Sequence, residues 1–274
     1  MIKYKCPVCG LTLENDGKSF VCGSAGRHTF DIAKEGYVNF AVGGKSESGD
    51  SAEMCASRRR FLSKGYYEKF ARLLCESVKK YISPEPEAVI DAGCGEGDYL
   101  RAMRSFFPES RLFGVDLAKN AIKLASKSEK QTAGKKNEYS VCGIFSLPFF
   151  DNSFDAAISV FAPVGAEESL RVLKKDGFLF VAGPGKSHLS GLKRHLYDNP
   201  YDNEEKIRRY DGFKYVGKEF TEYTVTVEKD DIFDLFTMTP YYWKTSRGDS
   251  EKLRNLAELK TELSFEISVY RAVK

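Results

Sequence analysis

The chain has 274 residues, 42% hydrophobic and 30% charged, with 42 Lys and Arg against 39 Asp and Glu for a formal net charge of +3. That is ordinary globular composition, which excludes collagen-like, low-complexity and highly charged tail classes. The longest apolar stretch, AAISVFAPV at 156–164, falls far short of the roughly 20 residues of a membrane helix. The opening MIKYKCPVCG has no apolar signal core, and seven cysteines do not form an even disulfide framework. A reduced, cytoplasmic protein with no membrane partner is expected. Charge is unevenly spread: residues 1–80 carry 14 Lys and Arg against 9 Asp and Glu, a net +5, while the rest is net −2. Any polyanion is therefore expected to meet mainly the N-terminal third.

In chain order, the first pattern is Cys6-x2-Cys9 followed by Cys22-x5-His28. Two such pairs supply four N/S ligands to one tetrahedral ion with no open position, the signature of a structural zinc site. Between them, LTLENDGKSFVC reads as two short strands around Asn15-Asp16-Gly17, a hairpin signal. A unit this small cannot bury enough surface alone, which is the physical reason for a metal. Cys55, Cys75, Cys94 and Cys142 stand singly within other patterns and read as ordinary buried residues. Residues 1–43 are read as the zinc module, and the Gly/Ser-rich 44–65 as a linker or loop.

The body, 66–274, alternates. A helix is expected from Tyr66 to Tyr81, with Phe70, Leu73, Leu74, Val78 and Tyr81 on one face. EAVIDAGCGEGDYLRAMRSFF reads as strand, glycine loop and helix. Strands near 111–115, 138–142, 154–160 and 177–182 then alternate with helices near 119–128, 166–174 and 187–197. This is an α/β chain with a doubly wound, mostly parallel sheet. TEYTVTVE and LSFEISVYRAV alternate like strands with one wet face, an antiparallel addition at its end.

The glycine loop carries the cofactor argument. Asp91-Ala92-Gly93-Cys94-Gly95-Glu96-Gly97 turns tightly and lets the backbone approach a ligand at the sheet's carboxyl edge. A dinucleotide fingerprint would place a small residue at position 98, where Asp98 would instead repel a pyrophosphate. An acid at the strand end suits an ammonium, which S-adenosylmethionine has and NAD lacks. Asp116 closes the next strand 19 residues beyond Gly97, placed to bind ribose hydroxyls. The competing reading of Asp116 is a helix N-cap.

These stretches, with LPFFDNSFDAAISVFAP and LKKDGFLFVAGPG, resemble class I S-adenosylmethionine-dependent methyltransferases. More narrowly, CPVCG, HTFDIAKEGYVNF, GDSAEM, RRRFLSKGYY, CGEG and PGKSHL are similar to the bacterial 23S rRNA (guanine-N1)-methyltransferases, over residues 1 to about 200. The resemblance implies a Rossmann-like methyltransferase body behind a zinc-ribbon-like module, with S-adenosyl-L-methionine as donor and one structural zinc. Its substrate would be N1 of a guanine in a 23S rRNA hairpin, and a homodimer is possible. It also implies cofactor contacts at Tyr67 and His188 besides Asp91, Gly93, Gly95, Glu96, Gly97 and Asp116. Guanine N1 lies on the Watson–Crick edge, so the target must be unpaired or flipped out. Lys3, Lys5, Lys18 and Arg27 suit the zinc module to docking RNA. Arg58, Arg59 and Arg60 are expected to contact phosphates or bases. Glu53, Glu167 and Glu168 are the acids near the expected cleft, and none of them can be singled out as the base. The FAPV stretch lacks the Asn or Asp carried there by many amino-group methyltransferases, which fits a ring nitrogen. Left open are another RNA or a small molecule as substrate, with the zinc only bracing the fold.

Overall fold

The computed structural model describes residues 2–23, 25–42, 50–130, 134–204 and 207–274. At the N-terminus the turn chemistry acts locally. Asn15 Oδ1 accepts from Gly17 N at 2.7 Å, and Asp16 Oδ1 accepts from Lys18 N and Ser19 N at 2.9 and 2.7 Å. Gly17 takes the left-handed backbone such a turn needs, at φ 91°. Strands β1 (Leu13–Asn15) and β2 (Ser19–Cys22) fold back on each other, and β3 (Thr29–Asp31) completes a three-stranded antiparallel sheet.

The next strand, β4 (Val38–Asn39), leaves that sheet and pairs in parallel with β7 (Glu138–Val141), at the edge of the main one. The main sheet has eight strands in the order β10-β11-β9-β8-β5-β6-β7-β4. Its members are β5 (Ala88–Ala92), β6 (Arg111–Asp116), β8 (Phe154–Val160), β9 (Leu173–Pro184), β10 (Phe213–Glu228) and β11 (Glu258–Ala272). The six strands from β9 to β4 run parallel, while β10 and β11 form a long antiparallel hairpin beside β9. The chain winds outward from β5 through β6 to β7, then returns to the other side of β5 with β8. A crevice therefore opens beyond the carboxyl ends of β5 and β8, where strand order reverses.

The two faces of the sheet are covered differently. On one face lie α2 (Glu68–Tyr81), α3 (Asp98–Phe106) and α4 (Lys119–Glu129), which bury Phe70, Leu74, Val78, Leu100, Met103 and Ile122. On the other, the zinc module is itself the covering layer. Tyr4, Leu13 and Phe40 join Phe113, Phe149 and Phe154 in one core, helped by Val172 of α5 (Ala166–Val172). The Tyr4 ring lies tilted against Phe149 and Phe40, with centroids 5.1 and 4.8 Å away, and Lys5 N donates to Pro148 O at 2.9 Å. Each large side chain so buried contributes about 1.5–3 kcal/mol. The module expected over 1–43 thus shares both a core and a strand with the body.

The linker expected over 44–65 needs correction. Residues 43–49 lie outside the described residues, but α1 (Ala52–Ser63) is a capped helix, with Ser51 Oγ accepting from Met54 N at 3.2 Å. Three successive arginines interrupt its apolar periodicity, and only Met54, Cys55, Ser57 and Phe61 are buried, so the pattern is too sparse to read. Helix α6 (Ser190–Leu196) falls within the expected span, whereas α7 (Lys229–Thr237), α8 (Tyr241–Lys244) and α9 (Arg247–Arg254) were not expected. Among the described residues no helix is long and apolar enough to cross a membrane.

Candidate active site and metal centre

The four expected metal ligands converge. One ligand atom each from Cys6, Cys9, Cys22 and His28 lies within 4.8 Å of all the others. Cys9 Sγ and Cys22 Sγ are 3.7 Å apart, and Cys6 Sγ and Cys22 Sγ lie 3.6 and 3.3 Å from His28 Nδ1. A tetrahedron with Zn–S bonds of about 2.3 Å has S–S edges of roughly 3.8 Å, so the cluster has the dimensions of a zinc site. His28 N also donates to Cys22 Sγ at 3.2 Å, a contact that favours the thiolate. With four protein donors and no vacancy for substrate, the centre can hold structure and do no chemistry.

At the crevice, β5 delivers Asp91 to its end and the chain then turns through three glycines with left-handed backbones, Gly93, Gly95 and Gly97 at φ 93°, 52° and 76°. A Cβ built on Gly93 would sit 2.6 Å from Ala162 Cβ, and one on Gly97 would strike the Tyr139 hydroxyl. Only glycine permits both the turn and the packing beneath it.

Asp91 is the unusual group here. It is 0% exposed, and neither carboxylate oxygen has a hydrogen-bond partner among the described residues. Burial, reinforced by the nearby charge of Asp116, pushes its carboxyl well above the usual range. An unpaired buried carboxylate is costly unless a ligand satisfies it, and an ammonium is the matching group. Asp116 differs. Its Oδ2 accepts from Gly95 N at 3.0 Å and its Oδ1 from Ala118 N at 2.8 Å. Burial still raises its carboxyl, and those two bonds pull against it. Both bonds come from backbone N–H groups, and each oxygen keeps a lone pair that could accept from a hydroxyl.

Tyr67 and His188, 121 positions apart, meet in the interior with Tyr67 Oη 3.4 Å from His188 Nε2. Ser264 N donates to His188 Nδ1 at 3.3 Å, so the neutral ring carries its proton on Nε2 and donates it to Tyr67. Burial lowers the imidazole to about 3, leaving it neutral. The expected set of Tyr67, Asp91, Gly93, Gly95, Asp116 and His188 therefore gathers along the carboxyl edge of β5, β6 and β9.

Two of the expected contact residues pair with each other. Glu96 is 2% exposed and its carboxylate is taken up internally: its Oε2 accepts from Arg58 Nε at 2.8 Å and its Oε1 from Arg58 Nη2 at 3.3 Å. Arg58 also grips Asp50. Burial works against the guanidinium charge, and Glu96 and Asp50 outweigh it. Arg58, expected to meet RNA, is thus committed within the protein as a bolt between α1 and the glycine loop. Arg59 Nη1 donates to Leu124 O at 3.1 Å, and Arg60 forms a two-pronged pair with Asp234 of α7 at 2.8 and 2.5 Å. Sequence shows a run of three cations; the helix sends them in three different directions, because successive residues point about 100° apart.

Of the three acids near the cleft, Glu168 is held by Arg171 and by Leu147 N, which together keep its carboxyl low against the effect of burial. Glu167 is exposed, and Glu53 Oε2 accepts from Tyr242 Oη at 3.4 Å. Two further residues at this edge were not singled out by the sequence: Asp50, inside the GDSAEM stretch, and Phe161, the first residue of FAPV. Phe161 follows β8 with φ 53°, a left-handed backbone costing roughly 1–2 kcal/mol for a residue with a side chain. The absence of Asn or Asp was the only signal at that position.

Two family models match the chain, one described as "RlmA, N-terminal" over residues 4–41 and one as "Methyltransferase domain" over 89–177. YxjB of Bacillus subtilis (strain 168), provisionally named a 23S rRNA (guanine-N1)-methyltransferase, is 29% identical across 99% of this chain and 97% of its own. A Micromonospora griseorubida protein with the same provisional name is 30% identical, covering 88% and 87%. The 23S rRNA (guanine(748)-N(1))-methyltransferase of Streptomyces fradiae is 26% identical, covering 94% and 92%. Among solved structures, the YcgJ protein of Bacillus subtilis superposes with a TM-score of 0.50 at 16% identity, over 74% of this chain and 98% of that one, a likeness of fold.

Proposed function

Since this chain belongs to the 23S rRNA (guanine-N1)-methyltransferases, we propose that it methylates N1 of one guanine in a hairpin loop of 23S rRNA. The observation that carries this is a likeness running nearly end to end, through metal cluster and glycine loop alike. When bound, S-adenosylmethionine supplies an electrophilic methyl group on a sulfonium. The residues of this chain bind and orient it. Asp91 receives the ammonium it otherwise lacks a partner for, Asp116 takes the ribose hydroxyls, and the backbone of Gly93 and Gly95 lets the donor lie close. With His188 donating to its oxygen, Tyr67 keeps its own O–H free to donate to the donor's carboxylate. Arg58 and Glu96 act through position, holding the glycine turn against α1. Alignment and exclusion of water are the main contributions asked of the protein, because the sulfonium is already reactive.

The zinc module has two tasks in this reading. It covers one face of the sheet, so it braces the catalytic body. It also offers the exposed side chains of Lys18 and Arg27 to the RNA, away from that packed face. Homodimerisation rests on the family resemblance alone.

The test uses 23S rRNA from a strain lacking the gene. Incubated with the purified protein and donor, it should gain one N1-methylguanosine at a single position on mass mapping. No new methyl mark, or a mark on an exocyclic amine, would overturn the proposal.

A further inference from the structure

The crevice holds one aromatic ring that none of these roles uses. Phe161 leaves the end of β8, its N donating to Ala182 O at 2.9 Å. Ser159 Oγ closes the turn by donating to Ala162 O and Pro163 O at 3.4 and 3.3 Å, and Ala162 is wedged against Gly93 of the glycine loop. Among the described residues, Phe161 and Leu189 are the two large apolar side chains with left-handed backbones, and they flank His188 on two elements. Leu189 is 1% exposed, so burial offsets its strain. Phe161 is 45% exposed, so in the free protein burial offsets little of its own. Its ring is backed at 5.8, 6.0 and 6.1 Å by His188, Phe265 and Phe70, all of them buried. The remaining surface is open at the carboxyl edge, beside the turn that touches the cofactor loop. An aromatic held in a disfavoured backbone, supported behind and bare in front, is a stacking platform.

We propose that Phe161 is the surface on which the flipped guanine stacks while N1 is presented to the methyl donor, an inference that rests on the function proposed above. A purine face is the ligand class that suits it. A flipped base has lost its stacking neighbours in the RNA, and an aromatic side chain replaces them. With docking assigned to the zinc module in the function proposed above, the ring should govern how much of the bound RNA has its guanine flipped. Its removal should therefore lower kcat more than it raises KM.

Phe161→Leu keeps apolar bulk and removes the π face, while Phe161→Tyr and Phe161→Trp keep an aromatic ring under the same backbone constraint. With 23S rRNA lacking the mark, Phe161→Leu should lose roughly tenfold or more in kcat, the loss of one base–aromatic stack. The Tyr and Trp variants should stay within about threefold of wild type, with donor affinity by calorimetry unchanged in all. Equal activity of the Leu variant would overturn the inference. So would a loss that tracks donor affinity or melting temperature, which would assign the ring to the cofactor pocket or to the core. If the wild-type protein marks no guanine in 23S rRNA, the functional reading falls and this inference with it. If it does so and Phe161→Leu matches it, the inference alone falls.

Discussion

The metal cluster and the glycine loop both gather groups that call for a cation, and they are built in opposite order. Cys6, Cys9, Cys22 and His28 are carried by strands of three or four residues and a knuckle turn, elements too short to hold four donors together unaided. There a bound metal would make the structure. Asp91 sits in the central strand of an eight-stranded sheet, flanked by β6 and β8 and fixed before any ligand arrives. There the fold holds an unpartnered carboxyl in place at its own cost. The module also covers a face of the sheet that ends in the glycine loop, so the first arrangement supports the second.

The sharpest way to break this comparison is to remove the metal. Chelation, or Cys22→Ala, should unfold the module and uncover the Phe113–Phe149–Phe154 core, lowering the melting temperature by about 10 °C or more. An unchanged melting curve would mean that the packing of Tyr4 and Phe40 suffices without zinc.

Changing Asp91 should do the reverse. Asp91→Asn should weaken donor binding by about 100-fold, as expected for truncating one member of a buried ion pair, yet raise the stability of the free protein. The sign follows from the raised carboxyl. Its protonated form stabilises the fold below the unfolded value of about 3.9, and that contribution is lost as pH rises through the higher folded value. The stabilising effect of Asp91→Asn should therefore grow with pH over that window. Donor affinity of the wild type should rise through the same window and then level off, because only the ionised carboxylate pairs with an ammonium. Calorimetry and melting curves at several pH values would check both trends. A destabilised Asp91→Asn protein would show that the carboxylate has an internal partner after all.

The smallest contrast lies within α1. Arg58→Met leaves Glu96 buried without its cation and should cost about 3 kcal/mol and loosen the glycine turn. Arg60→Ala removes an ion pair whose arginine is 58% exposed and should cost under about 1 kcal/mol. Denaturant titration distinguishes them, and Glu96→Gln should rescue much of the Arg58→Met loss. Equal costs would contradict the bolt assigned to Arg58.

Local chemistry was legible in the sequence because it depends on residues close together in the chain. The paired Cys and Cys/His ligands, the Asn15-Asp16-Gly17 turn, Asp91 before its glycines, and Asp116 one strand later all follow from spacing and backbone preference. So did the alternation that makes the body an α/β sheet. What required the tertiary structure was each pairing across distance. Arg58 meets Glu96 from 38 positions away, Tyr67 meets His188 from 121, and Arg60 meets Asp234 from 174. The arginine run looked like one basic patch because a sequence shows charge without direction. Nor did the ligand pattern hint that the zinc module would become a layer of the sheet's core; Tyr4, Phe20 and Phe40 are spaced like ordinary scattered aromatics. Burial is a property of what packs against a side chain, and for these residues the partners come from the far side of the fold. The sequence therefore determined where the chemically capable groups cluster along the chain, because spacing is local, while the tertiary structure decided which charges are already paired, because their partners lie far away in the chain.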